Sequence, residues 1–232
     1  MLFKQLFHQK SSTYTYIISS GKGREALIID PVLENTKEYL NLLELLELKL
    51  VKVIDTHIHA DHISGLKELS RQTNCVTLMG EQSASEVVSF KVKDNEKIKI
   101  ENMELTSIYT PGHTDCSYSF LMNDRIFTGD TLLINGTGRT DFQNGNAVDQ
   151  YNSLFNRILK LPEKTLVYPA HDYKGNKVST IGNEKMNNPR LQVKSVNEYV
   201  EIMNNLKLSN PKMMDVAISA NKKGLTLKEF LK

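Results

Sequence analysis

Apolar and β-branched residues in this chain come in short bursts, separated by Gly, Pro, Asn and Asp, and the period of the bursts changes along the sequence. Residues 13–19 (TYTYIIS) are β-branched and aromatic and predict a strand; Gly21-Lys22-Gly23 turns the chain, and residues 25–30 (EALIID) return as a second strand. Over residues 35–48 (NTKEYLNLLELLEL) leucines recur at helical spacing, with Asn35 or Thr36 as the cap. Residues 50–54 (LVKVI) read as a short buried strand, and a second helix is predicted through residues 64–73 (SGLKELSRQT). Further short strands are expected at 76–79, 98–100 and 105–109. Strands at 117–122 and 125–128 flank Asn123-Asp124, a hairpin turn signal. A helix over 149–159 and a strand over 166–168 follow, and from about residue 193 the pattern is mostly helical. Many strands with helices interspersed make a layered α/β or α+β domain; periodicity leaves the two open.

Composition narrows the class. A chain of 232 residues fits one large domain or two small ones. No repeat, low-complexity tract or Pro/Gly/Ser-rich linker interrupts it, so a single domain over 1–232 is expected, with a helical C-terminal segment from about 193. The formal net charge is only +2 and no basic stripe carries interleaved aromatics, which argues against nucleic acid as a partner. No apolar run approaches the roughly 20 residues that a membrane span needs. The first residues, MLFKQLFHQKSSTYTY, lack a long apolar core and a small-residue cleavage site, so a secretory signal is not expected. Cys75 and Cys116 are the only cysteines; two make no disulfide framework and suit a reducing cytoplasm, the expected compartment. Both are read as small semi-buried side chains with no redox role.

The chemistry concentrates at strand ends. Three of the six histidines fall within six residues, in Thr56-His57-Ile58-His59-Ala60-Asp61-His62. Directly after a strand, positions i and i+2 share a side, so His57 and His59 can aim at one point. Asp61 and His62, in the turn beyond, can aim at a neighbouring one. Imidazole and carboxylate are ligands that zinc, iron and manganese accept. A solvated polar loop explains one histidine well, but not four candidate ligands at this spacing. Three other stretches repeat the arrangement of an apolar run, a small residue, then His or Asp: Thr110-Pro111-Gly112-His113-Thr114, Phe127-Thr128-Gly129-Asp130-Thr131 and Tyr168-Pro169-Ala170-His171-Asp172. Rigid scaffolds place chemistry on such loops. His8 has no such context and reads as a surface histidine. Gly136-Thr137-Gly138 lacks the third glycine and the strand–helix context of a dinucleotide site, and reads as a tight turn.

HxHxDH followed by PGHT, GDT and PAHD resembles the metallo-β-lactamase superfamily over about residues 13–190. The resemblance implies an α+β fold, a four-layer αββα sandwich with a metal site along one sheet edge. It also implies a full set for two metals: His57, His59 and His113 for one, Asp61, His62 and His171 for the other, with Asp130 bridging. Two such ions activate a shared water, which is the reading of a dinuclear zinc thioester hydrolase of the glyoxalase II type.

Further stretches point elsewhere. Gly129 to Ile134 leading into Asn135-Gly136-Thr137-Gly138-Arg139-Thr140-Asp141-Phe142-Gln143, then Tyr168 to Tyr173, Ser179-Thr180-Ile181 and Asn188-Pro189-Arg190-Leu191 resemble the persulfide dioxygenases, as does Ser12-Thr13-Tyr14-Thr15-Tyr16. In that family one Fe(II) per chain is held by two histidines and one aspartate, which map to His57, His113 and Asp130. This facial arrangement leaves coordination positions open. His59, Asp61, His62 and His171 then become groups that orient the ligands. Many relatives carry Cys where this chain has Thr137. The implied activity, in sulfide detoxification, is O₂-dependent oxidation of glutathione persulfide, or of a related small thiol persulfide, to sulfite and thiol. Arg139, Arg190 and Tyr173 are the implied anchors of the thiol carrier, because guanidinium pairs with carboxylate bidentately. Arg139 has a structural alternative as a brace through Asp141 or Asp172, and Arg190 one as an ion pair. Zinc hydrolysis is the main alternative, a non-enzymatic metal-binding role the second, and a homodimer is compatible with the family.

Overall fold

In a computed structural model, residues 1–211 and 213–230 are described, and the chain divides into two compact units. The first comprises residues 1–92, 97–105 and the C-terminal stretch from Asn210. Its six-stranded sheet follows chain order: β1 (Leu2–His8), β2 (Thr13–Ser19), β3 (Glu25–Ile29), β4 (Lys49–Ile54), β5 (Val76–Gly80) and β6 (Phe90–Val92). The β1-β2-β3 pairs are antiparallel, and β3 to β6 run parallel. Parallel neighbours need a crossover, and helices α1 (Thr36–Leu45) and α2 (Leu66–Thr73) supply the first two. Strands β2 and β3 are buried at nearly every position, so both of their faces are covered.

Strand β1 is absent from the expectations above. Its sequence, LFKQLFH, places Leu2, Phe3, Leu6 and Phe7 at helix-like spacing, yet it pairs with β2 over its whole length as the sheet's edge. Tertiary pairing overrides a local pattern here. Helix α1 ends at Leu45 and not at residue 48, because Glu47 turns to φ +56. Neither Asn35 nor Thr36 caps it as expected: the Asn35 side chain makes no capping bond, and the Thr36 hydroxyl donates back to the Leu33 carbonyl.

Helix α1 is fastened through Tyr39, which is fully buried. The Thr15 hydroxyl donates to the Asp30 carbonyl at 2.7 Å, so the Tyr39 hydroxyl donates to Thr15 (2.9 Å) while accepting from Val32 N–H (3.2 Å). The C-terminal helix α6 (Met214–Lys223) belongs to this unit, and Ala217 and Ala220 pack with Leu33 and Ile63. Small residues let the helix come close, which brings Asn221 of α6 onto the loop after β4. Its amide accepts from Ser64 N–H and donates to the His59 and His62 carbonyls, each within 2.9 Å.

The second sheet has the order β12 (Ser179–Thr180), β11 (Leu166–Pro169), β10 (Arg125–Gly129), β9 (Tyr118–Leu121), β8 (Met103–Tyr109), β7 (Lys97–Ile100). The second unit, residues 93–96 and 106–209, holds most of it. Strands β8 and β9 pair antiparallel, as do β9 and β10, whereas β10 and β11 are parallel. Strands β8, β10 and β11 therefore all run the same way. Helix α3 (Ala147–Asn156) starts two residues before the predicted 149, because the Asn146 side chain caps Val148 and Asp149 N–H. Helices α4 (Ile181–Asn187) and α5 (Val196–Asn204) complete the unit, and α7 (Leu227–Phe230) follows α6 in the first. Its core joins Ile108, Ile126, Val167, Leu154, Ile158 and Tyr199. No helix among the described residues is long and apolar enough to cross a membrane.

Burial pushes the Tyr39 phenol from its ordinary value of 10 up to about 12. The stability it contributes is complete below pH 10 and is lost as pH rises toward 12, because the unfolded chain releases that proton first. Two pKa units correspond to roughly 3 kcal/mol. Tyr39→Phe is expected to flatten the loss of stability between pH 10 and 12 in denaturant titrations; an unaltered alkaline slope would show that Tyr39 does not generate it.

Candidate metal centre

In each unit the chemistry lies beyond the C-terminal ends of strands that run the same way. In the first, β3 ends at Asp30 and β4 ends at Asp55-Thr56-His57. His57, His59 and His62 are all buried, with ring centroids 4.2 Å apart for the first pair and 4.3 Å for the second. The expected proximity of His57 and His59 is observed, although the strand ends at Ile54 and the loop, not the pleat, brings the rings together. Asp30 takes the Thr56 N–H at 2.7 Å and the Thr56 hydroxyl at 3.0 Å, and stands 3.1 Å from His59 Nε2. The Thr56 oxygen lies 2.9 Å from His57 Nδ1. Asp61 Oδ2 accepts from the Thr13 hydroxyl at 3.1 Å and faces His62 Nδ1 at 2.9 Å. Burial, and then the charge of Asp30, hold the Asp55 carboxyl well above the usual carboxylate range. Two sets of three side chains here have ligand atoms within 4.8 Å of one another: His59, Asp61 and His62, and Asp30, Asp55 and His59.

In the second unit, β8, β10 and β11 lead to His113, Asp130 and His171. His113 Nε2 is 3.5 Å from Asp130 Oδ2, and His171 Nε2 is 3.7 Å from Asp130 Oδ1. The parallel register that opposes Gly129 to Pro169 places Asp130 and His171 side by side. His113 Nδ1 meets the Arg139 carbonyl at 2.7 Å; a carbonyl only accepts, so Nδ1 carries the proton and Nε2 is the lone-pair atom. The buried Asp130 Oδ1 accepts no hydrogen bond among the described residues. A carboxylate oxygen costs free energy when so placed unless a cation completes it. Two buried imidazoles, one of them with its second nitrogen already committed to a carbonyl, and a half-buried carboxylate are a donor set that fits a divalent metal.

The remaining expected residues fall as follows. Arg139 is committed to Asp141, with two nitrogens on its two carboxylate oxygens, and donates to the Ser209 carbonyl. Arg190 donates to the Thr137 carbonyl and hydroxyl, and meets no carboxylate among the described residues. Burial lowers the pKa of its guanidinium, the consequence of holding an unneutralised charge away from water. Tyr173 is exposed and lies parallel to the His171 ring, with centroids 6.1 Å apart.

His8 is not the surface residue its sequence context suggested. Its side chain is 11% exposed, its Nδ1 meets Ser11 at 2.7 Å, and its Nε2 lies 3.4 Å from Glu34, in a cavity that Asp61 and His62 also line. Pairing of β1 with β2 pulls it inward. Sequence reasoning also missed Asp30, Thr13, Thr56 and Asn221 as supports of the histidines. Asp30 ends an apolar strand as the other site residues do, which was a usable signal; nothing local marks Asn221. Cys75 and Cys116 are free and buried, as expected.

The Metallo-beta-lactamase superfamily matches residues 9–87 and 86–171 of this chain. The chain therefore belongs to the metallo-β-lactamase superfamily, and its fold is the one expected. The crystal structure of ETHE1 from Myxococcus xanthus superposes with a TM-score of 0.93 at 45% identity, covering 96% of this chain and 98% of that one. The mitochondrial persulfide dioxygenase ETHE1 of Mus musculus is 41% identical over 224 residues, 95% of this chain and 87% of the mouse protein. The hydroxyacylglutathione hydrolase of Dictyostelium discoideum is 34% identical over 169 residues, 69% of this chain and 62% of its own length. Within the superfamily, the chain belongs to the persulfide dioxygenase family.

Gly138 sits where a side chain would strike His113. A Cβ there would lie 2.8 Å from His113 Nδ1 and closer still to the Asp130 carbonyl. Contacts under 3 Å force the neighbour to move. Gly138→Ala is expected to lower the metal content of the purified protein severalfold while circular dichroism stays native; full occupancy would show that His113 has room to yield.

Proposed function

We propose that this protein oxidises the persulfide of a small thiol, glutathione by the family resemblance, with O₂: R–S–SH + O₂ + H₂O → R–SH + SO₃²⁻ + 2H⁺. The reading assigns one Fe(II) per chain to His57, His113 and Asp130. The observation that carries it is the likeness to persulfide dioxygenases, 41% identical over 95% of this chain. Asp61 is turned onto Thr13 and His62 Nδ1, and His59 Nε2 faces Asp30. In the proposed assignment His59, Asp61, His62 and His171 orient their neighbours.

Iron, when bound, supplies the one-electron chemistry that allows O₂ to react with a closed-shell sulfur anion. The chain's own part is position and field. His113 holds its proton on Nδ1, against the Arg139 carbonyl, so Nε2 is the ligating atom. Asp130 brings a negative charge into the site beside His113 and His171. No side-chain nucleophile is needed, in keeping with two cysteines buried away as thiols; they also favour a reducing compartment, which we take to be the cytoplasm. The carrier's carboxylate is assigned to Arg190, whose half-buried guanidinium has hydrogen bonds but meets no carboxylate among the described residues, and to Tyr173, exposed beside His171. Arg139, already neutralised by Asp141, is the weaker anchor and braces the loop that carries the His113 partner carbonyl.

Two measurements test these assignments. In oxygen-uptake assays with glutathione persulfide, His113→Ala should lose iron and activity. His171→Ala should keep its iron, with activity reduced by about 10–100-fold. Two metals per wild-type chain, or acylglutathione hydrolysis without oxygen uptake, would replace this reading with the zinc hydrolase.

The carrier assignment predicts that Arg190→Ala raises KM for glutathione persulfide by about 10–100-fold, the loss of one charged hydrogen bond of roughly 1.5–3 kcal/mol. Arg139→Ala should raise it far less. An unchanged KM in folded Arg190→Ala would remove Arg190 from the carrier site.

A further inference from the structure

Asp30 and Thr56 take no part in the family assignment above, yet they occupy the position from which one metal ligand is controlled. Asp30 is only 1% exposed and adopts φ +50, a left-handed backbone that Gly enters most easily and Asn or Asp occasionally. A charged side chain at such a place has a reason to be there. Three donors surround its carboxylate: Thr56 N–H at 2.7 Å, the Thr56 hydroxyl at 3.0 Å and His59 Nε2 at 3.1 Å.

The proton count on Thr56 is decisive. A hydroxyl has one proton, and Thr56 spends it on Asp30 Oδ2. Toward His57 Nδ1, 2.9 Å away, the same oxygen can only accept. We propose that Asp30, acting through the Thr56 hydroxyl, fixes His57 as the Nδ1–H tautomer and turns the Nε2 lone pair outward as a metal ligand. Asp30 and Thr56 are thus positioning residues. The inference rests on the reading that His57 is a ligand.

The device differs from the one on His113, where a neutral carbonyl receives the Nδ1 proton. On His57 the acceptor is polarised by a carboxylate. A charge-assisted chain pulls the Nδ1 proton away from the ring more strongly than a carbonyl does, which makes Nε2 the more basic donor. The two imidazoles of the proposed triad are therefore unequal, and His57 is the stronger electron donor. Asp30 also contacts His59 from the opposite ring nitrogen, so one buried carboxylate orders both imidazoles of the His57-Ile58-His59 segment.

The test uses the full chain with Thr56→Val, which keeps shape and branching but has no hydroxyl, and Thr56→Ser, which restores it. Asp30→Asn is not a clean probe, because its amide would present a donor to Thr56. In the metal-free ¹⁵N-labelled wild type, long-range ¹H–¹⁵N spectra should show His57 protonated on Nδ1, and the serine variant should match. Thr56→Val should shift His57 toward Nε2–H or a mixture, with a native circular dichroism spectrum. Its Fe(II) dissociation constant, titrated anaerobically, should rise by about 10–100-fold, and serine should recover most of the loss. His57 on Nε2–H in the wild type, or a valine variant with unchanged tautomer and unchanged iron affinity, overturns the relay. A parallel His57→Ala separates the two claims: if it binds iron as tightly as wild type, the ligand assignment has failed and not the relay.

Discussion

Burying ionisable groups is the constraint that organises this molecule. Imidazoles and carboxylates removed from water cost free energy unless each proton has a donor and an acceptor assigned to it. At the end of β3, Asp30 meets that demand for its neighbours: it takes two bonds from Thr56 and faces His59, and its charge adds to burial in raising the pKa of Asp55. Around it, Thr13 answers Asp61, and Asn221 answers three backbone groups of the loop. The histidine loop is held by these bonds from β2, β3 and α6.

The second unit solves the same problem with topology. Because β8, β10 and β11 run in one direction, His113, Asp130 and His171 emerge at one edge without any long excursion of the chain. Behind them the buried Glu184 carboxylate accepts from Asn135 N–H and the Asn188 amide, and Asn188 in turn donates to the Gly136 carbonyl. Gln150, bridging the Tyr199 hydroxyl and the Gly138 carbonyl, secures the other side of the same loop. The loop after Asp130 is thus pinned at Asn135, Gly136 and Gly138, leaving Arg139 to present its carbonyl to His113. Rigid support of this kind is what separates a site that holds a metal from a cluster of polar residues.

Superfamily membership allows either of two chemistries, and the ligand types do not separate them. The distinction lies in what the surplus ligands do. His59 Nε2 and one Asp61 oxygen are hydrogen-bonded inside the first unit, and Arg190 meets no carboxylate among the described residues.

Much of this was legible in the residues themselves. His57, His59, Asp61, His62, His113, Asp130 and His171 announce themselves because each follows an apolar run that can only be a strand, and a strand end fixes where the next side chain goes. The β2–β3 pair, the helices α1 and α2 and the β9–β10 hairpin follow from period and turn chemistry. What only the tertiary structure decided are the matters that depend on partners far away in the chain. The edge strand β1 has a helix-like pattern and becomes a strand because β2 offers it hydrogen bonds. His8 is drawn inward by that pairing. Asn221, 159 residues beyond His62, reaches the metal loop only because Ala217 and Ala220 let α6 pack closely. The roles of the two arginines, one neutralised by Asp141 and one left charged, were likewise undetermined by local sequence. A guanidinium reads the same in any linear context, and its partner is chosen by folding.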